Sequence, residues 1–409
     1  MNTKILRLFR LRLHEIKFWL QHSIYFCRIY AFINGHQIII SRILSGNIQS
    51  EKKQYVIEEP ENVIVTIPKY WERSEEKKVS LPSKKITIKE FADAIVIGGD
   101  NGIICREGYF NFCVVGNPLY RNNIDIRNKV VLYQKENLVC IETQKDSDYI
   151  DCAISLLGPY SCNYYHFLIE TIAQLQYLDN IEEYRKFPVL IDKRALDVPQ
   201  MQQIIDVYNE AQHKVIGIAL YERITCHRII LCDKPTMLPG NVVDYYCMDI
   251  SCYSIRKDAI HYIRNSVKLS SRDPKIKIFI SRRNAVQLRI VNEREIEDIF
   301  IRHGYEIVYP EELSFIEQVS LFSSATYIAG SSGAALSNVV FSREGATLIC
   351  IVPAAYKFYL YSTLASMNQL NNIFVDANIC VHTPWSSQDE YWVNPDEIES
   401  MLSEEDINR

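Results

Sequence analysis

The sequence predicts an α/β protein in which parallel sheets carry helices on their faces, and three patterns point to that class. Short β-rich runs alternate with stretches of helical period: DCAISLLG, FPVLID, KVIGIAL and RIILCD in one half, then KIKIFIS, YEIVYP, TYIAG, ATLICIVP and NNIFVDA in the other. The stretch Thr326 to Phe341, TYIAGSSGAALSNVVF, places its glycines where a strand hands over to a helix. Finally, 409 residues, 48% hydrophobic and 23% charged, supply two cored domains at ~100 to 200 residues each.

Taken in order, residues 1–50 carry seven Lys and Arg against Glu15 in a chain of net charge −5, so the cationic charge is concentrated at the start. On a helix, Arg7, Arg10, His14, Lys17, Gln21 and Arg28 form one polar stripe flanked by Leu6, Phe9, Leu13, Trp19, Leu20 and Phe26. Such an N-terminal amphipathic helical segment suits an anionic membrane surface through residues 1–46, or equally a helix that packs on its own domain with a solvated basic rim. Residues 51–90, with Pro60, Pro68, Pro82 and the charged run Arg73 to Lys78, read as a linker. Residues 91–240 form a first domain. It opens with hairpin-like runs, DAIVIGG to NLVCIET, and continues with strand and helix in alternation, including helices from about Tyr164 to Leu178 and Gln200 to Glu210. A crossing near Pro235, Pro239 and Gly240 leads to a second domain, 241–385, and 386–409 is a tail. In that second domain SFIEQVSLFSSA is a helix with Ser314 as N-cap.

No apolar run approaches the ~20 residues of a membrane span, and no signal peptide is evident, so a cytoplasmic location is expected, peripheral to the inner face of the membrane if the basic segment binds it. The 12 cysteines include no CxxC pair and read as free thiols of a reducing compartment. The negative body of the chain disfavours nucleic acid as a partner.

In a parallel α/β sheet, ligands lie beyond the carboxyl ends of the strands. There the sequence puts Arg282 and Arg283 after one strand, Glu311 and Glu312 after the next, and Gly330, Ser331, Ser332, Gly333, Ala334, Ser337 and Asn338 after the third. Two guanidiniums beside the N–H groups of a helix start predict a site for a pyrophosphate. The competing reading of the loop is a tight turn with glycine at positive φ.

The motifs GPYSCNYYHFLIE (Gly158 to Glu170), ISRRNAVQLRIVNE (Ile280 to Glu293), SFIEQVSLFSSA and GSSGAALSNVVF, in this order over roughly residues 90 to 380, resemble the family 61 glycosyltransferases. That family includes bacterial capsular polysaccharide biosynthesis proteins and eukaryotic O-linked sugar transferases. The resemblance implies a GT-B-like arrangement of two Rossmann-type domains facing a cleft, and inverting transfer from a nucleotide sugar without a metal or other cofactor. Its expected acceptor is a glycan or lipid-linked saccharide of surface polysaccharide assembly. Two positions depart from the family pattern: Ser332 stands where many members have His, and Cys350 where Glu or Gln is frequent.

Inverting transfer needs a base for the acceptor hydroxyl and positive charge for the departing nucleoside diphosphate. His166 is the expected base, with Glu170 one helical turn on to orient it. Asn163, which also caps the helix, Tyr164 and Glu317 are the expected acceptor or hydroxyl contacts. Asp146-Ser147-Asp148 reads as DxD but as a solvated turn, so no metal site is expected. Two other classes compete: a non-catalytic nucleotide-sugar-binding or scaffold protein, and, more weakly, a dinucleotide oxidoreductase, for which the loop lacks GxGxxG.

Overall fold

The computed structural model describes residues 23–44, 48–111, 126–238, 244–269, 276–285, 288–383 and 386–407. Most of the basic stripe, together with Pro239 and Gly240, lies outside them. A helix, Ile24–Ile33, leads into β1 (Gln37–Arg42). Next come β2 (Glu51–Glu58), the hairpin β3 (Asn62–Ile67) and β4 (Lys77–Pro82), and the long β5 (Ile86–Ile97). Then follow β6 (Ile103–Ile104), β7 (Tyr109–Phe110), β8 (Val131–Lys135) and β9 (Leu138–Thr143). These strands pair antiparallel; β5–β6, β6–β7 and β8–β9 are the hairpins expected of the runs after Phe91, while β1, β9 and β8 form a sheet of their own.

The alternating part begins with β10 (Ser147–Ser155), β11 (Val189–Asp192), β12 (Val215–Ile218) and β13 (Arg223–Cys232). They lie parallel in the order β12-β11-β10-β13, and β5 joins β13 antiparallel. The second parallel sheet contains β14 (Ile276–Ile280), β15 (Tyr305–Val308), β16 (Ala325–Ser331), β17 (Thr347–Ile351) and β18 (Asn371–Val375) in the order β15-β14-β16-β17-β18. Its middle strands are apolar on both faces, with β17 buried throughout, as a sheet covered on two sides requires. The strand order reverses once in each parallel arrangement, between β10 and β13 in the first and between β14 and β16 in the second. Such switch points open a crevice beyond the strand ends.

Three expectations about organisation are corrected. Residues 51–90 are not a linker but hold β2, β3, β4 and the start of β5: β2 pairs with β5, and the β3–β4 hairpin lies on the helix Leu360–Met367, with Thr66 N donating to Thr363 Oγ1 (3.1 Å) and Ser362 Oγ donating to Thr66 O (2.6 Å). Alternating burial along β3 places Val63 and Val65 in the core despite the flanking prolines. Residues 386–409 are not a tail, because the helix Pro395–Ile407 buries Ile398, Met401 and Leu402 in one cluster with Ile296 and Phe300. The predicted regular helix from Tyr164 to Leu178 is a π turn (His166–Thr171), a 3-10 turn (Ile172–Gln174) and a short α-helix (Leu175–Leu178). Gln174 supports that irregular path, its Nε2 donating to the Glu170 and Thr171 carbonyls at 2.9 and 3.3 Å. One apolar cluster, from Val65 through Ile230 to Phe374, runs through both sheets.

Candidate functional site

At the switch point of the first sheet, the chain leaving β10 turns through Gly158 into the His166 helix, and the chain leaving β13 brings Asp233, Lys234 and Thr236. They meet at Glu170, whose side chain is 2% exposed. It accepts from His166 Nδ1 (2.9 Å), Lys234 Nζ (3.2 Å) and Thr236 Oγ1 (2.8 Å). Burial alone raises a carboxyl, but here the His166 and Lys234 charges and the His166 and Thr236 hydrogen bonds outweigh it and hold Glu170 at about 2. An ionised Glu170 makes His166 Nδ1 the donor and leaves Nε2 with its lone pair, the atom that a base presents. Tyr160 stacks on the imidazole at 5.3 Å between ring centroids, and Tyr165 packs edge-on at 5.0 Å. The ring is therefore fixed on two sides and by its carboxylate.

At the switch point of the second sheet, Ile280 and Gly330 are register partners, and the chains beyond them carry Arg282 and Gly333. The Arg282 guanidinium lies against Gly333 so closely that a Cβ there would meet Nη1, and a Cβ at Gly330 would stand 2.9 Å from Ile280 O. Both glycines serve close approach, and neither has positive φ. Tyr361 Oη holds the Gly333 carbonyl at 2.5 Å, and Ser332 N donates to Ile351 O at 3.1 Å. The two crevices adjoin: Tyr164, next but one before His166, donates its hydroxyl to Asn338 Oδ1 at 2.7 Å. Between them is a mostly apolar pocket of about 230 Å³, lined by Tyr164, Met201, Arg282, Pro310, Ser331 and Leu336 among others.

The family model for Glycosyltransferase 61 matches residues 164–349, a span that takes in both crevices. Over that span the chain is similar to the family 61 glycosyltransferases. The match supports glycosyltransferase activity. No curated protein matches the chain.

Within the matched span, Arg282, Gly330, Ser331, Ser332, Gly333 and Ala334 gather at one strand-end surface, and His166 and Glu170 at the other. Several expected residues are occupied elsewhere. Arg283 turns outward, its Nε 2.8 Å from Glu297 Oε2 and its Nη2 on the Tyr309 hydroxyl. Ser337 donates to Ala334 O (2.5 Å), and Asn338 spends both ends of its amide on Tyr164 and on Gln318 Oε1 (2.7 Å). Both side chains are fully buried in a 3-10 helix, Ala334–Phe341, where polar groups must be paired internally, so their hydrogen bonds are spent on holding the loop. Glu317 forms a capping box with Ser314 and is exposed, so its carboxylate is engaged as a helix cap. Asn163 Oδ1 receives Tyr165 N at 3.1 Å, the capping role expected of it. Asp146 and Asp148 stand at the amino end of β10, opposite His166 along the strand. Among the described residues no group of three His, Cys, Asp or Glu side chains is placed to hold a metal. The described cysteines are all free thiols.

Lys234 and Thr236 escape the sequence reading. Their signal is positional, since they follow the end of RIILCD as Arg282 follows the end of KIKIFIS.

Proposed function

We propose that the chain transfers a sugar from a nucleotide sugar to a glycan or lipid-linked saccharide, with inversion and without a metal, in a GT-B-like arrangement. The observation that carries this reading is the pairing of two switch-point crevices, one holding an oriented imidazole and one an Arg282 guanidinium packed on glycine. The nucleotide sugar binds on the second sheet with its diphosphate at Arg282. His166 Nε2 takes the acceptor proton as that hydroxyl attacks the anomeric carbon from the face opposite the leaving nucleoside diphosphate, which inverts the centre. Positive charge for the leaving group then comes from guanidinium and backbone N–H groups. The built His166–Glu170–Lys234 cluster favours an enzyme over a binding protein of the same fold.

A thermal-shift panel of nucleoside diphosphates tests the reading, because a ligand at 100 times its dissociation constant adds about 2.7 kcal/mol of stability. One base should raise the melting temperature above the others. A panel without response argues against a nucleotide site.

We further propose that the helix Ile24–Ile33 rests on an anionic lipid surface at the cytoplasmic face of a membrane, where a surface-polysaccharide acceptor is made. It buries Cys27 and Ala31 while Tyr25 (77% exposed), Phe26, Ile29, Phe32 (79% exposed) and Ile33 face outward as one apolar stripe. The cationic excess of residues 1–50 supplies the complementary charge. No described helix is long and apolar enough to cross a membrane. Deleting 1–46 would also remove β1, a partner of β9, so the cleaner test is Ile29→Ser with Phe32→Ser. The wild type should co-sediment with phosphatidylserine vesicles at low salt and the variant should not. Equal sedimentation of the two would assign the stripe to another contact.

A further inference from the structure

The sequence motif around Arg282 contains a third arginine, Arg289, and the fold brings it back toward the same strand ends. Its carbonyl accepts from Tyr391 N at 2.8 Å, and its charge acts on Cys350 at the end of β17, on Tyr361, which holds Gly333, and on Arg282 itself. Among the described residues, Arg289 Nε and Nη1 are buried without a hydrogen-bond partner, and so is the Ser331 hydroxyl in the adjoining loop. The neighbours that feel its charge include tyrosines (Tyr245, Tyr356, Tyr361 and Tyr391), the Cys350 thiol and another guanidinium. None of these supplies a counter-charge, because burial pushes the Cys350 thiol and the tyrosine hydroxyls up and keeps them neutral.

Two guanidiniums close enough to repel each other, one with two buried N–H atoms that lack a hydrogen-bond partner among the described residues, form an arrangement that a bound anion would relieve. A structural arginine is satisfied by its own protein, whereas these N–H groups match the oxygens of a dianionic group and the Ser331 hydroxyl adds a further donor.

We propose that Arg289 and Arg282, with Ser331, hold the diphosphate of the bound nucleotide, and that Arg289 is what distinguishes a diphosphate from a monophosphate. Arg283, tied to Glu297, takes no part. This rests on the nucleotide-sugar reading above.

The test compares wild type, Arg289→Met and Arg289→Lys by calorimetry and thermal shift with the matched pairs UDP and UMP, GDP and GMP, and ADP and AMP. Wild type should prefer the diphosphate of one base. Arg289→Met should weaken that diphosphate about 10- to 100-fold, the range for lost hydrogen bonds to a charged group, and leave the monophosphate unchanged. Its ligand-free melting temperature should equal or exceed that of wild type, since two buried N–H atoms without a hydrogen-bond partner have been removed. Arg289→Lys, which retains charge but loses the fork, should fall between the two and covers the case of a Met variant that does not fold. If wild type discriminates and Arg289→Met or Arg289→Lys binds the diphosphate as wild type does, the Arg289 assignment is overturned while the site stands. If wild type binds no member of the pairs, the nucleotide reading itself fails.

Discussion

A His166→Ala variant is expected to transfer sugar about 10²- to 10⁴-fold more slowly while binding the nucleoside diphosphate as wild type does. The separation follows from the fold: His166 belongs to the crevice of the first sheet and Arg282 to that of the second, so removing the proposed base leaves the proposed donor contacts in place. Initial rates together with calorimetric affinity check both halves of the statement. A variant that loses affinity and keeps its rate would mark His166 as a donor contact.

Glu170→Gln should act differently, because the residue does two jobs. It orients His166, and it is the carboxylate on the partly buried Lys234. Glutamine leaves Lys234 without a counter-charge, a loss of about 3 to 5 kcal/mol for a broken buried pair, readable as a lower denaturant midpoint. The sign of the pH effect follows from the depressed folded value of about 2 against 4.5 for the free group. A carboxyl whose folded pKa is lowered stabilises the native state fully above the unfolded value, and that contribution is lost as pH falls from about 4.5 toward 2. Glu170→Gln should therefore flatten the acid limb of the stability profile, and an unchanged limb would show that Glu170 is not held ionised.

The second large effect is expected at Arg282. Arg282→Lys keeps one positive charge but loses the planar fork proposed to hold two phosphate oxygens, so turnover should fall about 10²- to 10³-fold, the scale of a lost charge-stabilising donor. Unlike the His166 change, this one should also weaken nucleoside diphosphate binding. Gly333→Ala should move both quantities the same way without touching a ligand itself, since the added methyl takes the place of Arg282 Nη1. Unaltered kinetics in Arg282→Lys would remove Arg282 from the leaving-group role.

The second sheet was legible because its strands are short apolar runs closed by turn residues, and strand-end logic then selects Arg282 and the glycine loop from the sequence alone. The same logic cannot say which way a side chain turns. Arg282 and Arg283 are adjacent, yet one lies on Gly333 and the other on Glu297, a choice made by the tertiary position of the helix Glu293–Arg302. Ser337 and Asn338 look like ligand groups on a helix start, but burial obliges them to pair inside the protein. Lys234 lies 64 residues from Glu170, a contact that only the sheet order creates. The strands of 51–85 were hidden by their prolines and charges, because β4 and much of β2 keep one face exposed and β3 owes its burial to a helix some 300 residues later.

The claim that these crevices form one transferase is tested most directly by following nucleotide release by phosphorus NMR. The chain would be incubated with nucleotide sugars carrying the base selected by thermal shift and with a lipid-linked glycan fraction as acceptor. Wild type should convert one nucleotide sugar to its nucleoside diphosphate with a glycosidic product of inverted anomeric configuration, and His166→Ala should bind the same nucleotide sugar without releasing the diphosphate. Binding by wild type with no release would contradict a transferase and leave a nucleotide-sugar-binding protein; release with retained configuration would contradict the direct displacement assigned to His166.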